Sequence, residues 1–405
     1  MSVLLSHNKR VVSGMRATGH LHLGHYHGVL NHWVQLQHQY DCYFFVADWH
    51  GLTTHYEEPS TIKQHVWDLL VDWLACGVNP GFSHVFIQSW VPEHAELYLL
   101  LSMISPLGWL ERVPTYKDQQ EKLHEKELST HGFLGYPVLQ SADVLIYKGD
   151  FVPVGEDQVA HIELTRELGR RFNYLYGRGV NFEALASQSM QKMGKKNAKL
   201  YKKLLTSFQQ DGCHDALNTA RALIEAQANL AIGDKERLLG YLEGIGKLIL
   251  SEPQALLTKH AKIPGLDGQK MSKSYGNTIR LREEPAVVEK KILTMPTDPA
   301  RVRRTDPGNP DLCPVWNFHE IYSDDTTKDW VQTGCRSAGI GCVDCKRPVI
   351  DAINKELKPI QDNIREYEAD MGSVKRIVVE GSERARADAQ KTLCDVREAM
   401  GLDYK

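Results

Sequence analysis

Short apolar runs alternate with helical patterns in the first half of the chain, and this alternation restricts the fold more than any other feature. Residues 10–14 (RVVSG), 41–47 (DCYFFVA) and 83–88 (SHVFIQ) have the composition of β-strands. The second run is apolar throughout, which is typical of a parallel strand covered on both faces. Helical patterns follow at about residues 23–39 and 61–76. Strand–helix–strand units of this kind predict an α/β fold with a doubly wound parallel sheet.

The composition changes further along the chain, and it predicts four segments. We expect the doubly wound domain in residues 1–180, a helical insertion in 181–258, a loop and connection in 259–284, and a helical domain in 285–405 that a cysteine-bearing stretch interrupts. In doubly wound sheets, ligands bind at the carboxyl ends of the strands. Motifs that directly follow strands are therefore the first candidates for function.

The overall charge excludes a globally basic nucleic-acid-binding protein. The formal net charge is −3 over 405 residues, so any site for nucleic acid must be a local patch. The densest cluster of lysines lies in the insertion: Lys192, Lys195, Lys196, Lys199, Lys202 and Lys203. Two interpretations remain open for this cluster, a solvated face of a surface helix or a contact surface for nucleic-acid phosphates.

No targeting signal is expected at the amino terminus. The first 14 residues have only a short apolar run with no charged lead, unlike a signal peptide. No stretch approaches the roughly 20 apolar residues that span a bilayer. We therefore expect a cytosolic protein with no membrane association.

The tetrapeptide HLGH at residues 22–25 comes shortly after the first strand and opens the first long helix. A helix start presents backbone N–H groups and a positive end to an anion. His22 and His25 share one face of the first turn and can donate to phosphate oxygens, while Gly24 lets a planar ring approach the backbone. Taken alone, these four residues fit a polar helix start equally well.

The pentapeptide KMSKS at residues 270–274 follows a Gly-rich approach, residues 264–268 (PGLDG). Lys270 and Lys273, three apart among small hydroxyl residues, suit a mobile clamp that stabilises the charge of a departing pyrophosphate. The alternative is a solvated basic loop. Residues 192–196 (KMGKK) lack the serines and the Gly-rich approach, so they are a poorer candidate.

Together the two motifs resemble the signatures of class I aminoacyl-tRNA synthetases. Further segments resemble the tryptophanyl-tRNA synthetases in the family's order: residues 13–19 (SGMRATG), 46–50 (VADWH), 136–147 (YPVLQSADVLIY) and 152–165 (VPVGEDQVAHIELT). The resemblance implies a Rossmann-like catalytic domain and a helical C-terminal anticodon-binding domain. It also implies that ATP activates L-tryptophan with Mg²⁺ on the phosphates, that tRNA(Trp) accepts the product, and that the enzyme is a homodimer, with helices near residues 95–109 at the interface.

The resemblance also assigns site residues. Asp143 is expected to accept the hydrogen bond of the indole N–H, and a site built for such a bond rejects analogues lacking it by roughly 10⁴–10⁵. Its alternative is a helix-surface aspartate. The other tryptophan-binding residues implied are Tyr136 and Gln158 at the α-amino group, His50, and Gln140, where one branch of the family has methionine.

The phosphate-handling residues implied as catalytic are His22, His25, Lys270 and Lys273. The ATP-binding set is Arg16, Ala17, Thr18, Gly24, His25, Gly155, Glu156, Asp157, Ile263, Lys270, Met271, Ser272, Lys273 and Ser274. Arg16 stands where other members have glutamine. For Glu156 and Asp157, a simple role at a helix N-terminus is the alternative.

Four of the eight cysteines, Cys313, Cys335, Cys342 and Cys345, have the spacing C-x₂₁-C-x₆-C-x₂-C. Four thiolates suit structural Zn²⁺ or an iron–sulfur cluster, and spacing alone does not choose. The flanking residues 309–316 and 340–346 resemble a subset of tryptophanyl-tRNA synthetases with a 4Fe–4S cluster. The resemblance therefore implies 4Fe–4S, with Zn²⁺ or four unligated cysteines as alternatives.

Basic residues near the cysteines give two further hypotheses. Lys346 and Arg347 are expected to contact RNA beside the cluster. Arg301, Arg303 and Arg304 form either a second RNA-binding patch or a solvated face.

Two rival functions share these motifs. A tyrosyl-tRNA synthetase has the same fold and both signatures, but the residues around Asp143 and the cysteine set argue against it. A non-catalytic paralogue that binds tRNA or ATP has no physical need for intact HLGH, GED and KMSKS.

Overall fold

The computed structural model describes residues 9–17, 19–57, 59–113, 130–178, 182–244, 248–257 and 263–404. Five strands form one sheet in the order β3-β2-β1-β4-β5. Their bounds are Arg10–Met15 (β1), Asp41–Val46 (β2), Ser83–Ile87 (β3), Phe151–Val154 (β4) and Gln254–Leu257 (β5). The three strands predicted from apolar runs are confirmed.

The strand pairing is parallel, as the apolar pattern predicted. β2 and β3 pair in parallel from Cys42 opposite Ser83 to Val46 opposite Ile87, and β1 pairs in parallel with β4 through Val11 and Phe151. All β2 residues from Cys42 to Val46 are buried, because both faces of the strand are covered.

Helices surround the sheet in the first part of the chain. They are Leu23–His25 (α1), Asn31–Leu36 (α2), Asp48–His55 (α3), Ile62–Ala75 (α4), Glu93–Ser102 (α5), Leu107–Leu110 (α6), His131–Leu145 (α7) and Val159–Tyr176 (α8). The helix expected at residues 61–76 is α4, and its apolar residues Val66, Leu69, Leu70, Trp73 and Leu74 are buried.

The single helix expected at residues 23–39 is divided by a π-helical turn, Tyr26–Leu30, between α1 and α2. In this turn, His27 Nε2 lies 3.1 Å from the Tyr322 hydroxyl and 3.0 Å from a Glu356 oxygen. Wide turns of this kind often occur at functional sites. Periodicity did not predict it, because both partners come from the far end of the sequence.

The insertion is a bundle of four helices with its own apolar core. The helices are Phe182–Lys192 (α9), Lys195–Asp211 (α10), His214–Glu225 (α11) and Ile232–Glu243 (α12). Nine buried residues form the core: Met190, Met193, Tyr201, Leu217, Ala220, Ile224, Leu230, Leu238 and Leu242. The helical character predicted for this segment is confirmed, although β5 at its end was missed.

The last part of the chain is helical: Pro285–Leu293 (α13), Pro314–Tyr322 (α14), Asp325–Arg336 (α15), Cys342–Ala369 (α16) and Met371–Met400 (α17). The expectation that residues 313–345 interrupt the helices is wrong, since α14 and α15 lie within them. Pro314 at the first position of α14 and the Asp324 cap of α15 explain both helix starts.

Two compact units divide the chain. Unit 1 contains residues 1–13, 88–256 and 383–405, and unit 2 contains residues 14–87 and 257–382. No helix within the described ranges has the length and apolar character required to cross a membrane.

Candidate active site

The HLGH segment lies in unit 2, where His22 caps α1 and the two histidine rings pack together. The ring centroids are 3.8 Å apart, and the backbone N–H of His22 donates to Nδ1 of His25 at 3.3 Å. His22 is buried, and its Nδ1 has no hydrogen-bond partner among the described residues. A buried ring nitrogen without a partner normally indicates a missing ligand or water.

Both histidines are uncharged at neutral pH. Burial, with a contribution from Lys273, lowers the pKa of His22 to about 4. Burial, together with smaller contributions from His22 and Lys273, lowers the pKa of His25 to about 2. Each ring therefore offers one N–H donor and one acceptor nitrogen rather than a positive charge.

Asn277 holds the KMSKS loop in shape, and sequence reasoning did not identify it. Its side-chain oxygen accepts from the Ser272 N–H at 2.8 Å, and its nitrogen donates to Asp267 at 2.8 Å and to the Lys270 carbonyl at 3.2 Å. A Cβ on Gly265 would lie 2.1 Å from this amide nitrogen, so only glycine fits there. The position of an asparagine just after KMSKS was the available signal.

The two signatures meet within unit 2. The Leu23 N–H donates to the Ile279 carbonyl at 3.0 Å, and the Leu281 N–H donates to the Leu21 carbonyl at 3.1 Å. This antiparallel pairing joins the segment entering α1 to the segment leaving the KMSKS loop. The loop itself reaches back, since Lys273 Nζ donates to the Gly19 carbonyl at 2.9 Å.

Gly24 is required because the two motifs approach each other at this point. A Cβ there would lie 3.0 Å from the His22 ring and 3.5 Å from Cβ of Met271. The first distance is too short for an ordinary contact. Gly24 was predicted to leave room for a planar ring. It also leaves room for the side chains of His22 and Met271, which come from the two motifs.

The two signature lysines differ in environment. Partial burial, followed by the charge of Arg280, lowers the pKa of Lys273 to about 8. Lys270 is exposed, and together with Ile263 it lines a cavity of about 450 Å³. Met271 is buried, and Ser274 lies in the 3₁₀ turn Lys273–Tyr275.

A buried ion pair beside the signatures also escaped prediction. Asp72 on α4 is 0% exposed, and its Oδ1 accepts from Arg282 Nε at 2.7 Å. The Leu21 N–H also faces this carboxylate. Arg282 donates further to Glu368 and to the Asp68 carbonyl. The pair therefore holds both segments of the antiparallel pairing.

The candidate tryptophan-binding residues of α7 lie in unit 1. Tyr136, Gln140 and Asp143 are four and three positions apart, so they share one face of the helix. Asp143 is 1% exposed, which rules out the surface alternative.

Two residues outside the prediction position Asp143. Its Oδ1 accepts from Gln88 Nε2 and from His94 Nδ1, both at 2.7 Å, and His94 Nε2 contacts the Tyr147 hydroxyl at 2.7 Å. A carboxylate held by two donors keeps one orientation. Gln88 and His94 follow β3, and that position was the only sequence signal.

His161 organises the neighbouring part of this face. Its Nδ1 lies 2.7 Å from Gln140 Oε1, and its ring centroid lies 5.6 Å from that of Tyr136. Gln158 ends the 3₁₀ turn Glu156–Gln158, which follows β4 and precedes α8, with Gly155 at its cap. Asp157 belongs to the same turn.

The remaining predicted residues are divided between exposed, buried and undescribed positions. Arg16 is exposed just after β1, and Ala17 is buried. His50 is buried on α3 in unit 2, so it does not belong to the unit that carries Tyr136 and Asp143. Thr18 lies outside the described residues.

The four spaced cysteines sit at helix ends in unit 2. Cys313 caps α14, Cys342 and Cys345 occupy the first turn of α16, and Cys335 lies in the last turn of α15. Helix N-termini carry a partial positive charge, and Cys313, Cys342 and Cys345 lie at such ends. At the negative end of α15, Arg301 supplies the cation, with its NH1 3.7 Å from Cys335 Sγ.

The cysteines are close enough to influence one another electrostatically. Burial, together with the neighbouring Cys313, Cys335 and Cys342, raises the pKa of Cys345 to about 12. His319 Nε2 lies 3.4 Å from Cys345 Sγ. No set of three or more His, Cys, Asp or Glu side chains in the described ranges has a ready arrangement for a metal ion.

The structure corrects the RNA hypotheses for two basic residues. Lys346 is 4% exposed, and its Nζ donates to the carbonyls of Leu293 and Met295 at 2.8 Å each, so it is not available to RNA. Arg301 is buried against Cys335, which separates it from the exposed Arg303 and Arg304. Arg347 is exposed and pairs with Glu289.

Comparison with known proteins gives the same assignment as the motifs. The family model of class I tRNA synthetases (W and Y) matches residues 6–226 and 232–358. A tryptophan–tRNA ligase of Ralstonia nicotianae is 63% identical over 98% of this chain and 99% of that protein. One from Thermotoga maritima is 44% identical over 98% of this chain and 100% of that protein.

A solved structure supports the fold. Tryptophanyl-tRNA synthetase of Campylobacter jejuni, in complex with ADP and tryptophan, aligns with a TM-score of 0.73 at 25% identity over 97% of this chain and 100% of that one. Both the local geometry of the two signatures and the similarity over nearly the whole length place the chain in one family. The chain belongs to the class I aminoacyl-tRNA synthetases, among the tryptophan–tRNA ligases.

Proposed function

We propose that this enzyme binds L-tryptophan, ATP and tRNA(Trp) and couples them in two steps through the residues described above. A tryptophan carboxylate oxygen attacks the α-phosphorus of ATP, the bond to the bridging oxygen breaks, and pyrophosphate leaves with its electron pair. An oxygen of the terminal ribose of tRNA(Trp) then attacks the carbonyl carbon of the adenylate, and AMP leaves. The contact between HLGH and KMSKS carries the proposal, because it gathers donors and cations suited to a polyphosphate.

Charge stabilisation in the first step is assigned to the KMSKS lysines. Lys273, with a pKa lowered to about 8, remains protonated at neutral pH, and exposed Lys270 is free to swing onto the leaving pyrophosphate. Neutral His22 and His25 donate single hydrogen bonds without adding charge. Mg²⁺ on the phosphates would neutralise the remaining charge.

Recognition of ATP outside the signatures is assigned to positions that follow strands. Gly155, Glu156 and Asp157 follow β4 and hold the ribose, and Arg16 follows β1 and meets the α-phosphate. Ala17, Thr18 and Ile263 complete the set implied by the resemblance.

Recognition of the indole is assigned to Asp143. Gln88 and His94 already occupy its Oδ1, so they fix the plane of the carboxylate. A charge-assisted bond from the indole N–H then adds to a preorganised acceptor. Tyr136, Gln140, Gln158 and His50 are assigned to the same substrate.

Pyrophosphate exchange, measured with each of the twenty amino acids in turn, tests the function. We expect exchange with tryptophan and a drop of several orders of magnitude with tyrosine or phenylalanine. Lys270→Ala/Lys273→Ala should abolish it, whereas Lys358→Ala, a matched surface lysine, should not. Exchange with tyrosine alone would establish the rival synthetase, and no exchange at all would favour a non-catalytic paralogue.

For the cysteines, we propose a 4Fe–4S cluster held by Cys313, Cys335, Cys342 and Cys345, with Zn²⁺ as the alternative. Convergence of three helix ends and the mutual influence of the thiols support a shared site. Such a cluster would supply a rigid crosslink between α14, α15 and α16. Anaerobic purification and an absorption spectrum test this, and a colourless protein with one zinc would exclude the iron–sulfur assignment.

We also propose that the enzyme is a homodimer in which α5 and α6 contribute to the interface. Leu99, Met103 and Leu107 are large apolar side chains that are more than half exposed there. Sedimentation of the wild type and of Leu99→Lys/Met103→Lys tests this. We expect the variant to be monomeric, and a monomeric wild type would refute the proposal.

The helical domain at residues 285–405 is proposed to bind the anticodon.

A further inference from the structure

The insertion holds α10 in a fixed orientation. The inner face of this helix contributes Tyr201 to the bundle core, and its hydroxyl donates to the Leu238 carbonyl at 2.6 Å. Leu204, Leu205 and Phe208 pack against the same core. This packing fixes the rotation of α10 about its axis, so the residues on its opposite face always point away from the core.

Five exposed lysines form that outer surface, here called the lysine face: Lys195, Lys196, Lys199, Lys202 and Lys203. At about 100° per residue, they fall within an arc of about 120°. None of the five pairs with a carboxylate among the residues described, whereas Lys192 and Lys235 in the same bundle pair with Asp234 and Glu225.

The lysine face reduces the stability of its own helix. Lys199 lies four residues from both Lys195 and Lys203, and such like-charged pairs destabilise a helix by roughly 0.2–0.5 kcal/mol each. Lysines in the first turn, Lys195 and Lys196, also oppose the helix dipole. If this face only contacted water, a mixture of positive and negative side chains would make the helix more stable. The excess of positive charge therefore indicates a polyanionic partner.

We propose that the lysine face binds the phosphate backbone of tRNA(Trp). The five lysines extend over about 12 Å of helix, a length over which a nucleic-acid strand carries several phosphates. Exposed Thr206 and Gln210 continue the same face with neutral donors. The face contains no arginine or aromatic side chain for reading bases, so it positions RNA without reading its sequence.

An anionic membrane is the less favoured partner. Membrane-bound amphipathic helices insert an apolar face, and the apolar side of α10 is already packed in the core. The inference rests on the proposed function, since tRNA must be a substrate, but it concerns a surface that adenylate formation does not use.

The test compares Lys199→Gln/Lys203→Gln with the charge-matched control Lys192→Gln/Lys235→Gln in the full-length enzyme. Glutamine and lysine have similar helix propensities, so the exposed face should stay helical. Each lost phosphate contact lowers the slope of log K against log salt by about 0.7–0.9, so the lysine-face variant should lose about 1.4–1.8. Near physiological salt this corresponds to roughly 10- to 30-fold weaker binding of a tRNA(Trp) transcript.

Kinetics complete the test. The KM for tRNA in aminoacylation should rise by a similar factor, with kcat and tryptophan-dependent pyrophosphate exchange unchanged, and Lys199→Arg/Lys203→Arg should keep the wild-type slope. An unchanged salt slope and KM in the glutamine variant, or an equal loss in the control, would overturn the inference. If the wild type itself lacked pyrophosphate exchange, the proposed function would fail instead. The inference would also be overturned, in favour of a membrane, if the wild type bound anionic vesicles and the glutamine variant lost that binding but kept its affinity for tRNA.

Discussion

Replacing Arg282 with methionine should destabilise unit 2 in a way that depends on pH. Asp72 is fully buried, and burial raises the pKa of its carboxyl to about 6 even though Arg282 and the Leu21 N–H both stabilise the charged form. Without the guanidinium, the carboxyl has lost its main counter-charge. It must either keep its proton or remain charged and unpaired.

The pKa shift sets the magnitude and its sign. Because the folded-state pKa of Asp72 lies above its ordinary 3.8, its contribution to stability is present below about pH 4 and is lost as pH rises toward 6. Two pKa units correspond to about 3 kcal/mol. In Arg282→Met the pKa of Asp72 rises further, so the variant continues to lose stability above pH 6. At alkaline pH it should be about 3–5 kcal/mol less stable than the wild type.

Asp72→Asn should behave differently. The amide keeps an acceptor for Arg282 without a buried charge, so we expect a loss of about 1–2 kcal/mol at neutral pH. Adding Asp72→Asn to Arg282→Met should restore much of the stability, because no carboxylate is left unpaired. Arg365→Met, which breaks an exposed pair with Asp362, should cost less than about 1 kcal/mol.

Denaturant unfolding between pH 5 and 8 measures these free energies. Hydrogen exchange at the Leu23 and Leu281 amides reports the local effect, since both donate across the pairing that Asp72 supports. The reasoning would be refuted if Arg282→Met lost the same free energy at pH 5 as at pH 8. It would also fail if the double variant were less stable than Arg282→Met.

Three further predictions concern the site. Asp143→Asn should lower kcat/KM for tryptophan in pyrophosphate exchange by about 10- to 150-fold, because the indole N–H then meets a neutral amide and the charge-assisted hydrogen bond is lost; an unchanged value would contradict the assignment. Gly24→Ala should lower kcat/KM for ATP at least about tenfold, because the new Cβ displaces the His22 ring, whereas Gly28→Ala, with open space around it, should have little effect in the same assay. The kcat/KM for ATP should fall as pH rises through about 8, where Lys273 loses its proton, and Lys273→Arg should extend the plateau to higher pH. A wild-type profile that stays flat to pH 10 would exclude the charged lysine.

Local pattern predicted the parallel sheet. β2 was evident because a strand covered on both faces must be apolar along its whole length. Residues 254–257 (QALL) gave no such signal, since four residues with helix-forming side chains are ambiguous, and β5 was missed. Asp143 was found through resemblance, and its burial then confirmed that it is not a surface residue.

Long-range partners account for what was missed. Asp72 looks like a surface residue of an amphipathic helix, because its partner Arg282 is distant in the sequence. Lys346 beside a cysteine pair suggested an RNA contact, but its ammonium group binds carbonyls at the end of α13 and just beyond it. Such roles depend on which elements pack together, and no local spacing encodes that.

The pairing of residues 21–23 with residues 279–281 also constrains the order of events during synthesis. It closes a loop of roughly 250 residues, so contacts within each half form before it at lower entropic cost. At translation rates of about 5–20 residues per second, the histidines wait roughly 10–50 s on the ribosome for their partner segment. The nascent chain therefore remains unable to use ATP until most of its length has been made, however early the first strands fold.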